Sequence, residues 1–344
     1  MNKPILVIKF GTASITKPSA ELDEAVMADI ARQVALLHQE YRIVLVSSGA
    51  IAAGKKHLKN YSGTISERKA AASVGNPLLL NKYSHYFAAY NIPIAQSLCE
   101  RRHFSNRNQF VQLHKTYEEL WANGIIPIAN ENDVVSDLEL KFSDNDELAT
   151  LIAVGFGAVM LLFSTSVPGV LDSSGKVVPL IQNIDKEALA LASKEKSATG
   201  LGGMISKLTF ARLATRMGIK VVIFGIRTED GILNAIKEKT GTLCLPQECA
   251  MPARKKWLAS GSLVTGRVVV DAGAEKALHK GHSLLAVGVK AIAGHFECGE
   301  VFEILNAEDL LVAVARAGLS SETLSSNLKT QNMEVAHADD IVLL

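Results

Sequence analysis

The chain has 344 residues, enough for two ordinary domains. It is 48% hydrophobic and 21% charged, which excludes a disordered chain and allows a large core. Lys and Arg number 36 against 35 Asp and Glu, a net charge of +1, so nothing global favours a polyanionic partner.

In chain order, Ile5 to Phe10 is an apolar strand interrupted by Lys9. Glu21 to Gln39 repeats apolar residues at helical spacing (Leu22, Ala25, Val26, Ile30, Val34, Leu37). Ile43 to Val46 is a second strand running into Ser47-Ser48-Gly49-Ala50. Helices are expected over 51–58, 66–90 and 109–122, with a strand over 92–98. A fourth strand, 125–129, breaks into Asn130-Glu131-Asn132-Asp133. A second polar knot, Asp144-Asn145-Asp146, precedes a helical run from Glu147, with Ser143 or Asp144 placed to cap it.

Leu148 to Leu171 carries no charge and is long enough to cross a bilayer. Gly155, Gly157 and Pro168 interrupt it, so a buried helix, a glycine turn and a strand (158–163) explain it better. Helices over 185–193 and 204–217 and a strand over 220–224 follow. Buried, non-alternating strands between helices indicate an α/β fold with a mostly parallel sheet. The character changes at Pro246 to Lys256, with two prolines and a basic cluster. Beyond it, short β-rich runs (264–270, 283–287, 300–305, 310–315) punctuated by glycine suggest a small β-barrel-type domain. The expected division is 1–250 and 262–344. Cys99, Cys244, Cys249 and Cys298 have neither C-x-x-C nor zinc-ligand spacing, so no metal site is expected and a reducing, cytoplasmic setting is.

Ligands of parallel sheets gather beyond the carboxyl ends of the strands. Those ends here are Lys9-Phe10-Gly11-Thr12, Ser47 to Ala50, Asn130 to Asp133 and Ser164-Thr165-Ser166, all small or polar. An Asx-rich turn with a helix cap also accounts for the acidic knots, but the agreement among four strand ends favours a site. Lys9 in an apolar strand needs a buried acid, a bound anion or a route to water. Gly200 to Gly203 precedes a helix with Lys207 one turn in; it is either a linker or a loop that turns backbone N–H groups toward an anion. No Walker A pattern and no nucleophile motif is present. Two lysines near phosphate and an acidic pocket fit phosphoryl transfer, where positioned cations matter more than a covalent nucleophile.

The segments KFGT (9–12), VSSGAIAAG (46–54), NEND (130–133), SDNDELA (143–149) and GGMISKL (202–208) occur in this order. Together they resemble the amino acid kinase family, most closely its glutamate-phosphorylating branch. RKKW (254–257), VDAGAEKAL from Val270 and HADDI near the end are similar to a PUA domain. The resemblance covers nearly the whole chain. It implies an αβα sandwich and ATP-dependent phosphorylation of the L-glutamate side-chain carboxylate, the first step of proline synthesis. It implies that Ser48, Gly49, Asp133 and Asn145 bind glutamate. Lys9 and Lys207 would neutralise the transferring group, and Asp146 would orient them. The implied ATP site is Lys9, Thr165, Ser166, Leu201, Gly202, Gly203, Met204, Ile205, Ser206 and Lys207, with Mg2+ accompanying ATP. Feedback by proline and a dimer or tetramer are also implied.

Three positions depart from the family pattern. Ser166 stands where an aspartate is usual, Ala13 where a serine is usual, and the loop 168–176 is short, as in acetylglutamate kinases. Acetylglutamate kinase is therefore one alternative, against which SSGAIAAG and the extra domain argue. RNA binding through the PUA-like domain is the other. From Ser262 onward six basic residues face eleven acids, a net of −5 and the wrong sign for phosphate, so no nucleic-acid partner is expected.

Overall fold

A computed structural model of the chain describes residues 3–19, 21–135, 144–192, 203–247 and 264–343. Two compact units emerge, Met1–Glu100 with Lys115–Cys249, and Arg101–His114 with Ala250–Leu344.

The first unit is built on β1 (Ile5–Phe10), β2 (Arg42–Ser47), β3 (Ile94–Cys99), β4 (Ile126–Glu131), β5 (Met160–Thr165), β6 (Leu180–Ile181), β7 (Lys220–Gly225) and β8 (Thr242–Cys244). They form one sheet in the order β3-β4-β2-β1-β5-β7-β8-β6, parallel throughout except between β7 and β8. β1 lies at the centre, with Lys9 in register with Val46 of β2 and Phe163 of β5. Side chains alternate faces along a strand. Leu6, Ile8 and Phe10 thus join one core with α2 (Glu24–Leu37) and α4 (Ile65–Ala88), while Lys9 projects to the opposite face.

Local chemistry sets the helix starts. Asp23 accepts the Val26 N–H at the start of α2. Thr64 and Glu67 close a capping box on α4. α1 (Thr12–Ile15) and α3 (Ala50–Gly54) follow β1 and β2; after β3 come α5 (Arg102–Ser105), which belongs to the second unit, and α6 (Arg107–Ala122), which is divided between the two. α7 (Asn145–Phe156) ends at Gly157, whose φ of +70° supplies the left-handed cap, and β5 follows three residues later. The uncharged span is therefore a buried helix, a glycine turn and a strand. Among the described residues no helix is long and apolar enough to cross a membrane. α8 (Lys186–Ala192), α9 (Met204–Arg216) and α10 (Gly231–Ile236) complete this unit.

Two expectations for this unit need correcting. β4 does not stop at Ala129 but continues through Asn130 and Glu131, whose side chains are buried. Asn130 pairs in the ladder opposite Leu98, so part of the polar knot belongs to the sheet. The helix expected over 51–58 is the short α3 followed by a 3-10 turn, Lys55–His57.

In the second unit β9 (Val264–Val270), β11 (Val289–Gly294), β12 (Val301–Leu305), β13 (Leu311–Arg316) and β15 (Ile341–Leu343) form a five-stranded sheet in the order β11-β9-β12-β13-β15. β10 (Leu284–Leu285) pairs with β14 (Glu334–Ala336). The strand expected over 283–287 is thus two residues of β10 running into a 3-10 turn, and β11 is the longer neighbour. α11 (Ala272–His279) is capped by Asp271, and α12 (Ser321–Ser326) by Ser320. Both sheets share a core centred on the stacked rings of Phe296 and Phe302, 4.7 Å apart.

Candidate active site

The site grows from one buried carboxylate. Asp146, fully buried in the first turn of α7, lies 2.5 Å from Lys9 Nζ through Oδ1 and 3.1 Å from Lys207 Nζ through Oδ2. Lys9 comes from β1 and Lys207 from the first turn of α9, so the acid joins the central strand to both helices. Burial drives the Lys9 ammonium below the ordinary lysine range, Lys207 pushes the same way, and Asp146 only partly offsets them. Burial pushes Asp146 up, but the two ammonium groups outweigh it and hold the carboxyl below the usual range.

Asp144 is the α7 cap: Oδ1 accepts the N–H of Asp146 at 2.8 Å and of Glu147 at 3.2 Å. Ser143, the other candidate cap, lies outside the described residues. Oδ2 of Asp144 accepts the Ser206 hydroxyl of α9. Burial, then the charge of Asp146, raises the Asp144 carboxyl above its usual range. Among the described residues the α9 N-terminus has no side-chain cap: Gly203 sits there in an extended conformation. Lys207 in the first turn of α9 shares Asp146 with Lys9, so a helix N-terminus and two ammonium groups belong to one site, a combination suited to polyphosphate.

Beside the lysines lies a ladder of amides. Asn145 Nδ2 donates to Ser48 Oγ at 2.9 Å and to Asn130 Oδ1 at 3.0 Å. Asn130 Nδ2 donates to Asn76 Oδ1 at 3.1 Å. The Glu131 N–H donates to Asn130 Oδ1 at 2.9 Å and to Asn145 Oδ1 at 3.3 Å. Ser48 follows β2, and its N–H donates to the Phe10 carbonyl of β1. Gly49 adopts φ +107°, and a Cβ there would stand 3.0 Å from Ile15, so this turn requires glycine.

The sequence-predicted residues therefore fall into groups. Lys9, Asp146 and Lys207 meet directly, and Ser48 and Asn145 are hydrogen-bonded, with Gly49 next to Ser48. Asp133 lies half-buried in the turn after β4. Thr165 ends β5 and the exposed Ser166 follows it; Thr165 Oγ1 accepts the Val167 N–H at 3.4 Å. Gly203, Met204, Ile205 and Ser206 open α9, with Met204 buried and Ile205 exposed. Leu201 and Gly202 lie outside the described residues.

Residues 4–225 match the model of the amino acid kinase family. The chain belongs to the amino acid kinase family. Residues 266–337 match the PUA domain. A glutamate 5-kinase of Streptococcus suis is 36% identical over 358 residues, covering 100% of both chains. One from Aliivibrio salmonicida is 34% identical over 363 residues, covering 98% of each. Among solved structures, carbamate kinase from Giardia lamblia bound to AMP-PNP superposes with a TM-score of 0.52 at 16% identity, over 71% of this chain and 98% of that one. At that identity the likeness speaks for the amino acid kinase fold alone.

Within this family member, residues not selected from the sequence also build the site. Asn130 and Asp144 were visible as polar residues but indistinguishable from turn and cap. Asn76 had a readable signal: it interrupts the buried stripe Ala72, Leu79, Tyr83, Phe87 of α4. A buried amide in such a stripe demands a hydrogen-bond partner.

Proposed function

We propose that the protein is a glutamate 5-kinase, transferring the γ-phosphoryl group of ATP to the side-chain carboxylate of L-glutamate. The observation that carries this is the placement of both Lys9 and Lys207 on one carboxylate, Asp146, beside the uncapped start of α9. The near-full-length relatives named glutamate 5-kinase support the choice of acceptor.

In this reading a carboxylate oxygen of glutamate forms a bond to the γ-phosphorus, and the bond from that phosphorus to the bridging β,γ-oxygen breaks. The electron pair leaves with ADP. The nucleophile is already ionised at neutral pH, so no general base is needed. The barrier is repulsion between two anions, and the two ammonium groups reduce it in a site shielded from water. Asp146 holds both lysines apart and aimed, so their arrangement costs little reorganisation. Ser48, Gly49, Asn145 and Asp133 take the acceptor. Thr165, Ser166, Leu201 to Ser206 and Lys207 take the nucleotide. Asp144 and Asp146 are already engaged by Ser206 and the lysines. A magnesium ion therefore fits best on the phosphates of ATP and water rather than in a protein cage.

A kinase domain of 1–250 with a PUA-like domain of 262–344, cytoplasmic location, homo-oligomeric assembly and inhibition by proline accompany this proposal. Sedimentation and a proline titration check the last two. The deciding assay is ADP release with L-glutamate, N-acetylglutamate or aspartate, with hydroxylamine present to trap an acyl phosphate. Hydroxamate from L-glutamate alone, lost in Lys9→Ala and Lys207→Ala, is expected. Turnover of N-acetylglutamate instead sinks the choice of acceptor.

A further inference from the structure

Asn76 of α4 is buried and takes no place in the chemistry above, yet it ends the amide ladder. The direction of each amide in that ladder is fixed by one group that cannot turn, the backbone N–H of Glu131. It donates to Oδ1 of both Asn130 and Asn145, so both Nδ2 groups point away from it. Asn145 Nδ2 then donates to Ser48 Oγ, which leaves the Ser48 hydroxyl hydrogen free for the acceptor. Asn130 Nδ2 in turn needs an acceptor in a buried place, and Asn76 Oδ1 supplies it.

We infer that Asn76 is a positioning residue of the acceptor site, fixing the Ser48 hydroxyl through Asn130 and Asn145. The inference rests on the proposed phosphorylation of a carboxylate acceptor bound at Ser48. An apolar residue of the same shape would fill the space but leave the Asn130 N–H buried and unpaired. Asn130 then relieves itself by shifting off Asn145, and Ser48 loses its fixed donor. The other end of Asn76 fits this role. Its Nδ2 finds no protein partner among the described residues, and the side chain lines a small void with Ser47, Tyr83, Gln96 and Asn130. The oxygen rather than the nitrogen is thus the atom that the ladder uses.

The test compares Asn76→Leu with Asn76→Asp in the full chain. Aspartate keeps an acceptor oxygen in the same place whether ionised or protonated; leucine keeps only the shape. Loss of this hydrogen bond should raise KM for L-glutamate about tenfold in Asn76→Leu, with KM for MgATP and saturating kcat changed by less than about threefold. Asn76→Asp should recover most of the loss. Equal increases in both KM values, an unchanged KM, or no recovery in Asn76→Asp overturns the inference and leaves a packing role. If Asn76→Leu gives no folded protein, Asn76→Ala, which adds no volume, takes its place in the same comparison. A wild type that phosphorylates none of the three acids overturns the functional reading, and this inference with it. A wild type active on L-glutamate beside an Asn76→Leu of unchanged KM overturns the inference alone.

Discussion

The Asp144 carboxylate and the Ser206 hydroxyl tie the first turn of α7 to the first turn of α9. One oxygen of Asp144 caps α7 and the other holds α9, so a single side chain sets the spacing of the two turns that carry Asp146 and Lys207. Asp144→Ala removes cap and tether together. It should cost about 1 kcal/mol in urea denaturation for the cap and raise KM for MgATP. Asp144→Asn keeps the capping oxygen and should hold wild-type stability. Ser206→Ala should raise KM for MgATP with almost no loss of stability. Equal stability of the Ala and Asn variants would contradict the cap.

Lys9 sets function against stability. Its ammonium is buried beside a second ammonium, and burial depresses its proton affinity even with Asp146 at 2.5 Å. Lys9→Met removes that burden and leaves Asp146 paired with Lys207. Replacing a buried charge by an apolar side chain of similar length is often neutral or stabilising when the remaining groups stay paired. Lys9→Met should therefore melt at or above the wild-type temperature while kcat falls by about a hundred- to a thousandfold. Asp146→Asn should do the opposite to stability, since it leaves two buried ammonium groups facing each other. Calorimetry of the two variants decides: a large drop in melting temperature for Lys9→Met refutes the argument.

Much of this was legible in the sequence, for physical reasons. β1, β2, β5 and β7 are continuous apolar runs, and a buried parallel strand has no other use for such a run. Lys9 stood out because a charge in that run has to be paired. Lys207 and Asp146 were each visible, one after a glycine turn and the other in a polar knot, but only the resemblance paired them, since across a separation of 61 residues no local pattern links them. The end of β4 was missed because Asn130 and Glu131 read as a turn; it is tertiary pairing with β3 that keeps them extended. β8 was missed because three residues, Thr242–Cys244, give too short a period to read. Asn76 was overlooked inside a long helix of mixed polar and apolar residues, where one polar residue on the buried face does not stand out.

Gly75, next to Asn76, is fixed by contact rather than by conformation. A Cβ on Gly75 would lie 1.7 Å from the Ala50 carbonyl oxygen, and one on Gly54 would lie 1.9 Å from the Ala71 carbonyl oxygen. α3 and α4 thus touch backbone to backbone, and the obstacles are carbonyls that cannot swing aside. α3 starts directly after Ser48 and Gly49, so any separation of the helices displaces the acceptor turn. Gly75→Ala should destabilise by about 3 kcal/mol, at the upper end for an overpacked core. The folded fraction should show a raised KM for L-glutamate. Gly157→Ala is the contrasting control: nothing lies within 4 Å of its Cβ, and its cost comes only from φ +70°. It should cost about 1 kcal/mol with KM unchanged.

The depressed Lys9 also gives the pH dependence a sign. In the unfolded chain this lysine titrates near its ordinary value of 10.5, and in the fold it titrates lower. Between those two values the unfolded state holds more protons, so stability from this group rises with pH. Catalysis runs the other way, since neutral Lys9 no longer offsets the phosphoryl charge. The basic limb of kcat/KM for MgATP should therefore lie below 10.5, while urea stability climbs over the same range. Bound phosphate favours the charged lysine, so the limb in kcat should sit at higher pH than the limb in kcat/KM. Lys9→Met should abolish the rise in stability. A kcat limb at or below that of kcat/KM would place the titrating group outside the phosphoryl site.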